Sequence, residues 1–555
     1  MMNLPFNRLS KRMHMGLISI WFSGILQAQQ PNILWITCED ISPALSMYGD
    51  STAQTPNLDR LAAESTIYTE AYATVGVCAP TRSSIITGMY PISIGTQHMR
   101  TGRDMAGWGS RDYSSPSEAV DVNGEAIPLY SAVIPAKVKC FTEYLRKAGY
   151  FCTNNPKTDY QFAAPVTAWD ENGYQAHWKH RREGQPFFSV FNINVSHESF
   201  LWKNKDKPLT VDPATVPVPP YFPDTETVRK DIARNYSNIE LMDAQVGVLI
   251  EELEAAGLLD NTIIFFFSDH GGPLPRSKRL HYESGLRVPL MVRMPDALKQ
   301  KYDYDMVSFV DLAPTVLVLA NVDVPDYLQG QAFIGGPVAR REFIFGSGDR
   351  FDEFSDRVRS VISKNYVYVR NFYPEKPAYK DISYRKQIPM MDELLAMNAS
   401  GELNKNQQYW FRQTKTKEEF YLRKEDPYSL KNRINDPKYQ TQIQFLRGAM
   451  DEWLTEAKDL GAIPEKELFL KMWPDGKQPK TPKPLVNVKK GKVAIYTKEP
   501  GASLAYILSD HEIEPDLDSG WQVYTQPVDI DKGQYLYTLA VRIGYKDSDI
   551  VMIEK

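Results

Sequence analysis

Four short stretches of the chain carry side chains whose types and spacing suit chemistry. The first, "VGVCAPTRSSIITGMYP" from Val75 to Pro91, sets Cys78 and Arg82 at the start of a run that reads as a short helix closed by Gly88. Free N–H groups at a helix N-terminus favour an anion and lower a thiol's pKa. The second, "PNILWITCED", ends in the paired acids Glu39 and Asp40, and the third, "NTIIFFFSDHGG", brings Asp269 and His270. Acids at the polar end of a buried strand are either turn formers or contacts to a ligand. The fourth, "FNINVSH", ends in His197, a side chain fit for proton transfer near neutral pH. Each stretch alone has a plain structural alternative: a buried cysteine, turn-forming acids, a histidine that only packs. Three of them share a position, the polar end of an apolar run, and that favours a site.

The runs are the elements that must hold these residues in place. Asn32 to Thr37, the "PFFSVFNINVSH" segment and the "NTIIFFFSDHGG" segment are continuous apolar stretches, the pattern of strands buried on both faces. Thr55 and Pro56 open a helix whose apolar spacing is Leu58, Leu61 and Ala62. Asp224 to Leu259 predicts a long amphipathic helix: Ile232, Tyr236, Ile239, Val246, Ile250 and Leu253 recur at three and four, and Gly257 closes it. Strand, helix, strand alternation implies a parallel sheet between helices. Ligands of such sheets gather at the carboxyl ends of the strands.

From about residue 340 the texture changes. "FIFGSGDRFDEFSDRVRSVISKNYVYVRNF" predicts short antiparallel strands, and a charged helix follows over about Lys438 to Ala457. "PDGKQPKTPKPL" reads as a solvated Pro/Lys spacer. "KVAIY", "SLAYIL", "GWQVYTQPV" and "QYLYTLAVRIGY" then alternate as strands of a small all-β module. The expected division is a leader over 1–28, an α/β catalytic domain over 29–385, a C-terminal subdomain over 386–475, a linker over 476–486 and the β module over 487–555.

The 555 residues are 43% hydrophobic, enough for a sizeable core and too many for a disordered chain. A net charge of -5 with interspersed signs lacks the basic face that nucleic-acid binding needs. Arg8, Lys11 and Arg12 precede the apolar run Met15 to Leu26 and then "QAQQ", the layout of a secretory leader cleaved after Ala28. Leu26 departs from the small residue that such a cleavage site favours. The run is shorter than the roughly 20 residues of a membrane span. The expectation is a periplasmic or secreted protein with no membrane span. Export permits disulfides. Whether Cys140 and Cys152 pair is left open by spacing alone, and Cys38 reads as a small buried residue.

Cys78, Pro80 and Arg82 match C-x-P-x-R, and Thr87-Gly88 match the T-G that closes the signature of the type I sulfatases. "PNILWITCED" resembles that family's opening strand and acidic pair, and "SDHGG" its second metal-binding pair. "KRLHYESGLRVPL" resembles its K-x-x-x-Y-E-x-G-x-R-V-P block, and "EEFYLRKEDPYSLKN" its E-L-Y-D-L…D-P-x-E-x-x-N segment. The resemblance covers roughly residues 30 to 460. It implies an alkaline phosphatase-like α/β sandwich with a mostly parallel central sheet and a smaller α+β C-terminal subdomain.

It also implies that a separate maturation enzyme oxidises Cys78 to formylglycine. The aldehyde hydrate has two hydroxyls: one attacks sulfur and displaces the sugar alcohol, the other collapses to the aldehyde and expels sulfate. On the family's pattern Glu39, Asp40, Asp269 and His270 hold one Ca²⁺ beside Cys78, which lowers the hydrate's pKa and polarises the sulfate. Arg82 fixes the hydrate by charge-assisted hydrogen bonds. Lys157 and Lys278 contact the sulfate, and His197 assists proton transfer. Three positions depart from the family: Glu39 for an aspartate, His270 for an asparagine, and Asp159 where "AGYFCTNNPKTDY" would carry a histidine two residues after Lys157. Asp159 is therefore read as a sugar contact or a partner of Lys157.

For the sugar itself the nominations are His98 and Arg100 in "GTQHMRTGR", Trp169 as a stacking face, and Arg350 in "GDRFDEF". Exported sulfatases of this kind serve the breakdown of sulfated polysaccharides, and algal ulvan and animal glycosaminoglycans are both candidates. The β module resembles the small C-terminal β-sandwich of some exported hexosaminidase-type enzymes and reads as a brace with Trp521 in its core. Two other readings stay open. A phosphodiesterase or phosphonate monoester hydrolase of the same superfold would prefer aryl phosphate diesters to aryl sulfates. A glycan-binding pseudoenzyme would keep Cys78 as a thiol, and the complete set of site residues argues against it.

Overall fold

An eight-stranded sheet forms the centre of the computed structural model, which describes residues 30–295, 299–336 and 340–555. The expected leader lies outside the described residues. In chain order the strands are β1 (Asn32–Cys38), β2 (Thr66–Tyr72), β3 (Phe151–Asn155), β4 (Glu171–Asn172), β5 (Phe187–Ile193), β6 (Thr262–Ser268), β7 (Arg287–Arg293) and β8 (Lys301–Ser308). Across the sheet they run β4-β3-β5-β1-β6-β7-β2-β8. Only β7 opposes its neighbours; every other pairing is parallel. Every residue of β1, β5 and β6 is buried. Alternate side chains feed two cores: Ile33, Trp35, Phe265 and Phe267 one way, Leu34, Ile36, Ile264 and Phe266 the other. That two-sided burial explains the unbroken apolar runs.

The long helix spans Glu226–Ala255, capped by the Thr225 hydroxyl on Val228 N and followed by Gly257 at φ +66°. Its Ile232, Ile239, Val246, Ile250 and Leu253 close one core. The opposite core takes Ile85 and Ile86 of the helix Cys78–Thr87 and Leu312, Val316 and Leu317 of the helix Leu312–Leu319. A second, antiparallel sheet is built from Ile344–Gly348, Val358–Ile362, Tyr366–Asn371 and Glu418–Leu422, so it takes strands from both sides of residue 385. The helix Gln440–Ala457 covers it through Ile443, Leu446, Met450 and Trp453.

The last residues form a three-stranded and a four-stranded antiparallel sheet. Their Ala505, Ile507, Trp521, Tyr537 and Leu539 belong to the same apolar core as Trp35 and Phe188 of the central sheet. Pro31 to Lys555 is one compact unit. The Pro/Lys segment is exposed over most of its length, with its backbone tied to the β module near Thr481. Thr481 is 1% exposed, its N–H donates to Lys546 O at 2.9 Å, and Lys546 N returns a bond to Pro479 O at 2.8 Å. All four cysteines are free and buried, so Cys140 and Cys152 form no disulfide and pack as small apolar groups. Among the described residues no helix is long and apolar enough to cross a membrane.

Candidate active site

The parallel register brings the polar strand ends together. Cys38 pairs with Ile193 on β5 and with Ser268 on β6, so Glu39-Asp40, the turn to His197, and Asp269-His270 leave one edge of the sheet side by side. Asp40 takes φ +52°, a left-handed conformation that aspartate tolerates. Cys78 opens its helix after an extended Val77, and every residue of that helix is buried. Gly76 lets the chain approach the 279–280 backbone: a Cβ there would stand 2.5 Å from Leu280 O, while Gly76 O accepts Arg279 N–H at 2.7 Å.

Cys78, Asp269 and His270 offer ligand atoms within 4.8 Å of one another, and so do Glu39, Asp40 and His197. Asp40 Oδ1, Asp269 Oδ2 and His270 Nε2 are buried with no hydrogen-bond partner. A buried charged oxygen left without a partner is costly. His270 Nδ1 lies 2.9 Å from Gly271 O and can only donate to it, which leaves Nε2 as the atom facing Asp40 Oδ1 at 3.1 Å. A carbonyl that holds one ring nitrogen in this way leaves the other nitrogen's lone pair to a metal. Burial, and then the Glu39 charge, push the Asp269 carboxyl up. Burial would depress His270, yet Asp269 and Asp40 raise it to about 10. The cluster thus gathers two carboxylates and one imidazole whose facing atoms make no hydrogen bond, a donor set that fits a hard dication with one nitrogen ligand.

Glu39 is engaged differently. Its two oxygens accept from Arg82 Nη2 and Lys157 Nζ. Against a burial that would raise it, those two cations hold the Glu39 carboxyl far below the usual range. Arg82 also donates to Asn192 Oδ1 at 2.7 Å and stands 3.4 Å from Asp269. Lys278 Nζ donates to Asp40 Oδ2 at 2.6 Å and lies 3.2 Å from Glu198. Burial works against the charge of Lys157, Lys278 and Arg100, but the facing carboxylates and the Cys78 sulfur hold all three above their ordinary range. His197 is pushed down to about 3, first by burial and then by Lys278, and is neutral at ordinary pH. Its Nδ1 accepts Ser199 N–H at 3.2 Å, so the ring proton sits on Nε2.

Cys78, Arg82, Lys157, His197, Lys278, Glu39, Asp40, Asp269 and His270 therefore meet in one place. Asp159 joins them: it is buried, 3.6 Å from Lys157 and 3.5 Å from Arg100. Arg100 keeps its nomination, whereas Trp169, Arg350 and His98 are corrected. Trp169 is 2% exposed, stacks on Phe188 and lines a small cavity of about 30 Å³ behind Arg82, so it offers no face to a sugar. Arg350 is buried, with its fork closed by Glu465 at 2.6 and 2.8 Å. His98 is buried between Gln97, Glu465 and the Arg350 backbone.

Sequence reasoning missed Asn192, Glu198 and Arg279. Glu198 binds both Nη atoms of Arg279, at 2.8 and 2.9 Å, and so orients Lys278 beside it. Their signal was present: Asn192 and Glu198 flank His197 at the polar end of β5, and Arg279 follows Lys278 directly.

The Sulfatase family model matches residues 31–322. An ulvan-active sulfatase of Formosa agariphila is 42% identical over 95% of this chain and 91% of its own length. Human N-sulphoglucosamine sulphohydrolase is 26% identical over 79% of this chain and 92% of its own. Among solved structures, a protein in complex with its substrate D-glucosamine-2-N,6-O-disulfate superimposes with a TM-score of 0.52 at 17% identity, over 78% of this chain and 98% of that one.

Proposed function

The chain belongs to the sulfatase family and is a hydrolase that removes sulfate from sulfated carbohydrates, and we propose that it does so through Cys78 matured to formylglycine beside a Ca²⁺. The observation that carries this reading is the convergence of Cys78 with ligand atoms of Asp40, Asp269 and His270 that make no hydrogen bond, inside a ring of cations. Asp40, Asp269 and His270 would hold the metal, with Glu39 completing the set from its place between Arg82 and Lys157. When bound, the ion and the formylglycine supply a polarised sulfate and a nucleophile that releases its own product.

The chain's residues do the rest. Arg82, fixed by Glu39 and Asn192, holds the modified side chain at the helix start. Lys157 and Lys278 neutralise the sulfate oxygens; both stay charged because each is paired with a buried carboxylate. Neutral His197 donates its Nε2 proton toward the leaving alcohol. The relative named for ulvan supports a polysaccharide of that kind as the source of substrate, and the leader pattern supports action in the periplasm or outside the cell. The test is sulfate release from ulvan and glycosaminoglycan oligosaccharides by protein co-produced with a formylglycine-generating enzyme. C78S should lose turnover and keep its melting temperature. Turnover of aryl phosphate diesters in preference to all sulfate esters would overturn the reading.

A further inference from the structure

Most arginines near the site are locked. Arg279 is closed by Glu198, Arg350 by Glu465, and Arg359 by Asp349 at 3.0 Å through both Nη atoms. Arg100 is not. Its side chain is 31% exposed, and among the described residues the only carboxylate in ion-pair contact with it is Asp159, at 3.5 Å from Nη1. That same Nη1 meets the Met105 thioether at 2.7 Å, so no acid closes the fork. An unfilled guanidinium fork is shaped for an oxyanion.

The turn that carries Arg100 is held firmly. Arg100 adopts φ +60°, an unusual choice for a long side chain. The Gln161 amide donates to His98 O and accepts Thr101 N–H at 3.2 Å, clamping both sides of the turn. Arg350 donates to Met99 O at 2.7 Å, and Met99 N donates back to Arg350 O at 2.8 Å. His98 and Arg350 are thus the fastening of the turn rather than sugar contacts. Arg100 stands against Asp159, which in turn faces Lys157 at 3.6 Å, so it borders the site on that side. Tyr384 is 36% exposed, edge-on to Trp202 at 5.0 Å, with its ring 6.3 Å from that of His197. An open aromatic ring next to His197 and an unfilled fork next to Asp159, both bordering one site, suit a sugar that carries an anionic group.

We propose that Arg100 is a specificity residue on the leaving-group side: it takes a second oxyanion on the sugar, apart from the sulfate removed, while Tyr384 receives the sugar ring. The inference rests on the reading of the chain as a carbohydrate sulfatase. The second oxyanion is a carboxylate or a further sulfate, and two substrate pairs separate these. One pair is a sulfated uronate-containing disaccharide and its carboxyl-reduced counterpart; the other is a disulfated disaccharide and its monosulfated form. The matured wild type should favour the acidic member of one pair by about ten- to a hundred-fold in kcat/KM. In R100N, chosen because asparagine accepts the left-handed backbone, that ratio should fall to about one, with the loss in KM. R100K, which keeps charge without the fork, should fall between. A wild-type ratio near one in both pairs, or a ratio that R100N leaves unchanged, overturns the proposal while sulfate release stands. No sulfate release from any member overturns this inference and the reading beneath it together.

Discussion

At the residue scale the site is a set of buried, paired charges with three ligand atoms, on Asp40, Asp269 and His270, that make no hydrogen bond. Breaking one buried ion pair by removing a partner costs about 3–5 kcal/mol, so a chain keeps such a cluster for what it does. Asp40 Oδ1, Asp269 Oδ2 and His270 Nε2 make no hydrogen bond among the described residues, though His270 is in ion-pair contact with Asp40 and Arg82 with Asp269, and the proposed Ca²⁺ is a group that would satisfy them. Ca²⁺ should therefore stabilise the folded protein, by about 2.7 kcal/mol at a hundred times its Kd. Differential scanning calorimetry with Ca²⁺ or chelator reads this without any turnover, and D269N should abolish most of the Ca²⁺-dependent shift. An undiminished shift in D269N would remove Asp269 from the metal site. Much of this cluster was legible in the sequence, since the two acidic pairs close apolar runs and Cys78 and Arg82 stand together at a helix start. Asn192, Glu198 and Arg279 were not, because their roles depend on which strand ends become neighbours. Trp169 was misread for a related reason: a tryptophan's type says nothing about whether its face meets solvent.

At the element scale, the apolar runs announced β1, β5 and β6, and the three-and-four spacing announced the long helix to within a few residues at each end. The Pro/Lys segment is mostly exposed, but its composition could not reveal the backbone pairing between Thr481 and Lys546. One helix contact gives a pH-dependent prediction. Asp231 is 5% exposed on the long helix and accepts Met390 N–H at 2.6 Å at the start of the helix Pro389–Ser400. Burial pushes its carboxyl up to about 7, against the hydrogen bond that lowers it. The unfolded carboxyl titrates at about 3.9. Between these values the folded state holds a proton that the unfolded state has lost, so this group's contribution is full below about pH 4 and falls as pH rises toward 7. D231N should remove that slope, and melting temperatures across the window would show it. Parallel pH profiles for D231N and wild type would contradict the assignment.

At the scale of the whole molecule, the terminal β module shares the core of the central sheet, which its own strand pattern could not disclose. Trp521 is 4% exposed within that shared core, and its carbonyl accepts Arg146 Nη2 at 2.6 Å. W521A should cost about 3–5 kcal/mol and lower one cooperative melting transition of the entire molecule. A split into two transitions, with the upper one unmoved, would make the module a separate unit. The same integration lets a buried helix start, three strand ends and a clamped turn meet around one cysteine. The most direct test is the mass of the Cys78 peptide in protein co-produced with a formylglycine-generating enzyme, measured alongside sulfate release from a sulfated oligosaccharide. The account predicts that the peptide carries the aldehyde in place of the thiol and that sulfate release rises in proportion to the converted fraction. Full sulfate release by protein whose Cys78 remains a thiol would contradict it.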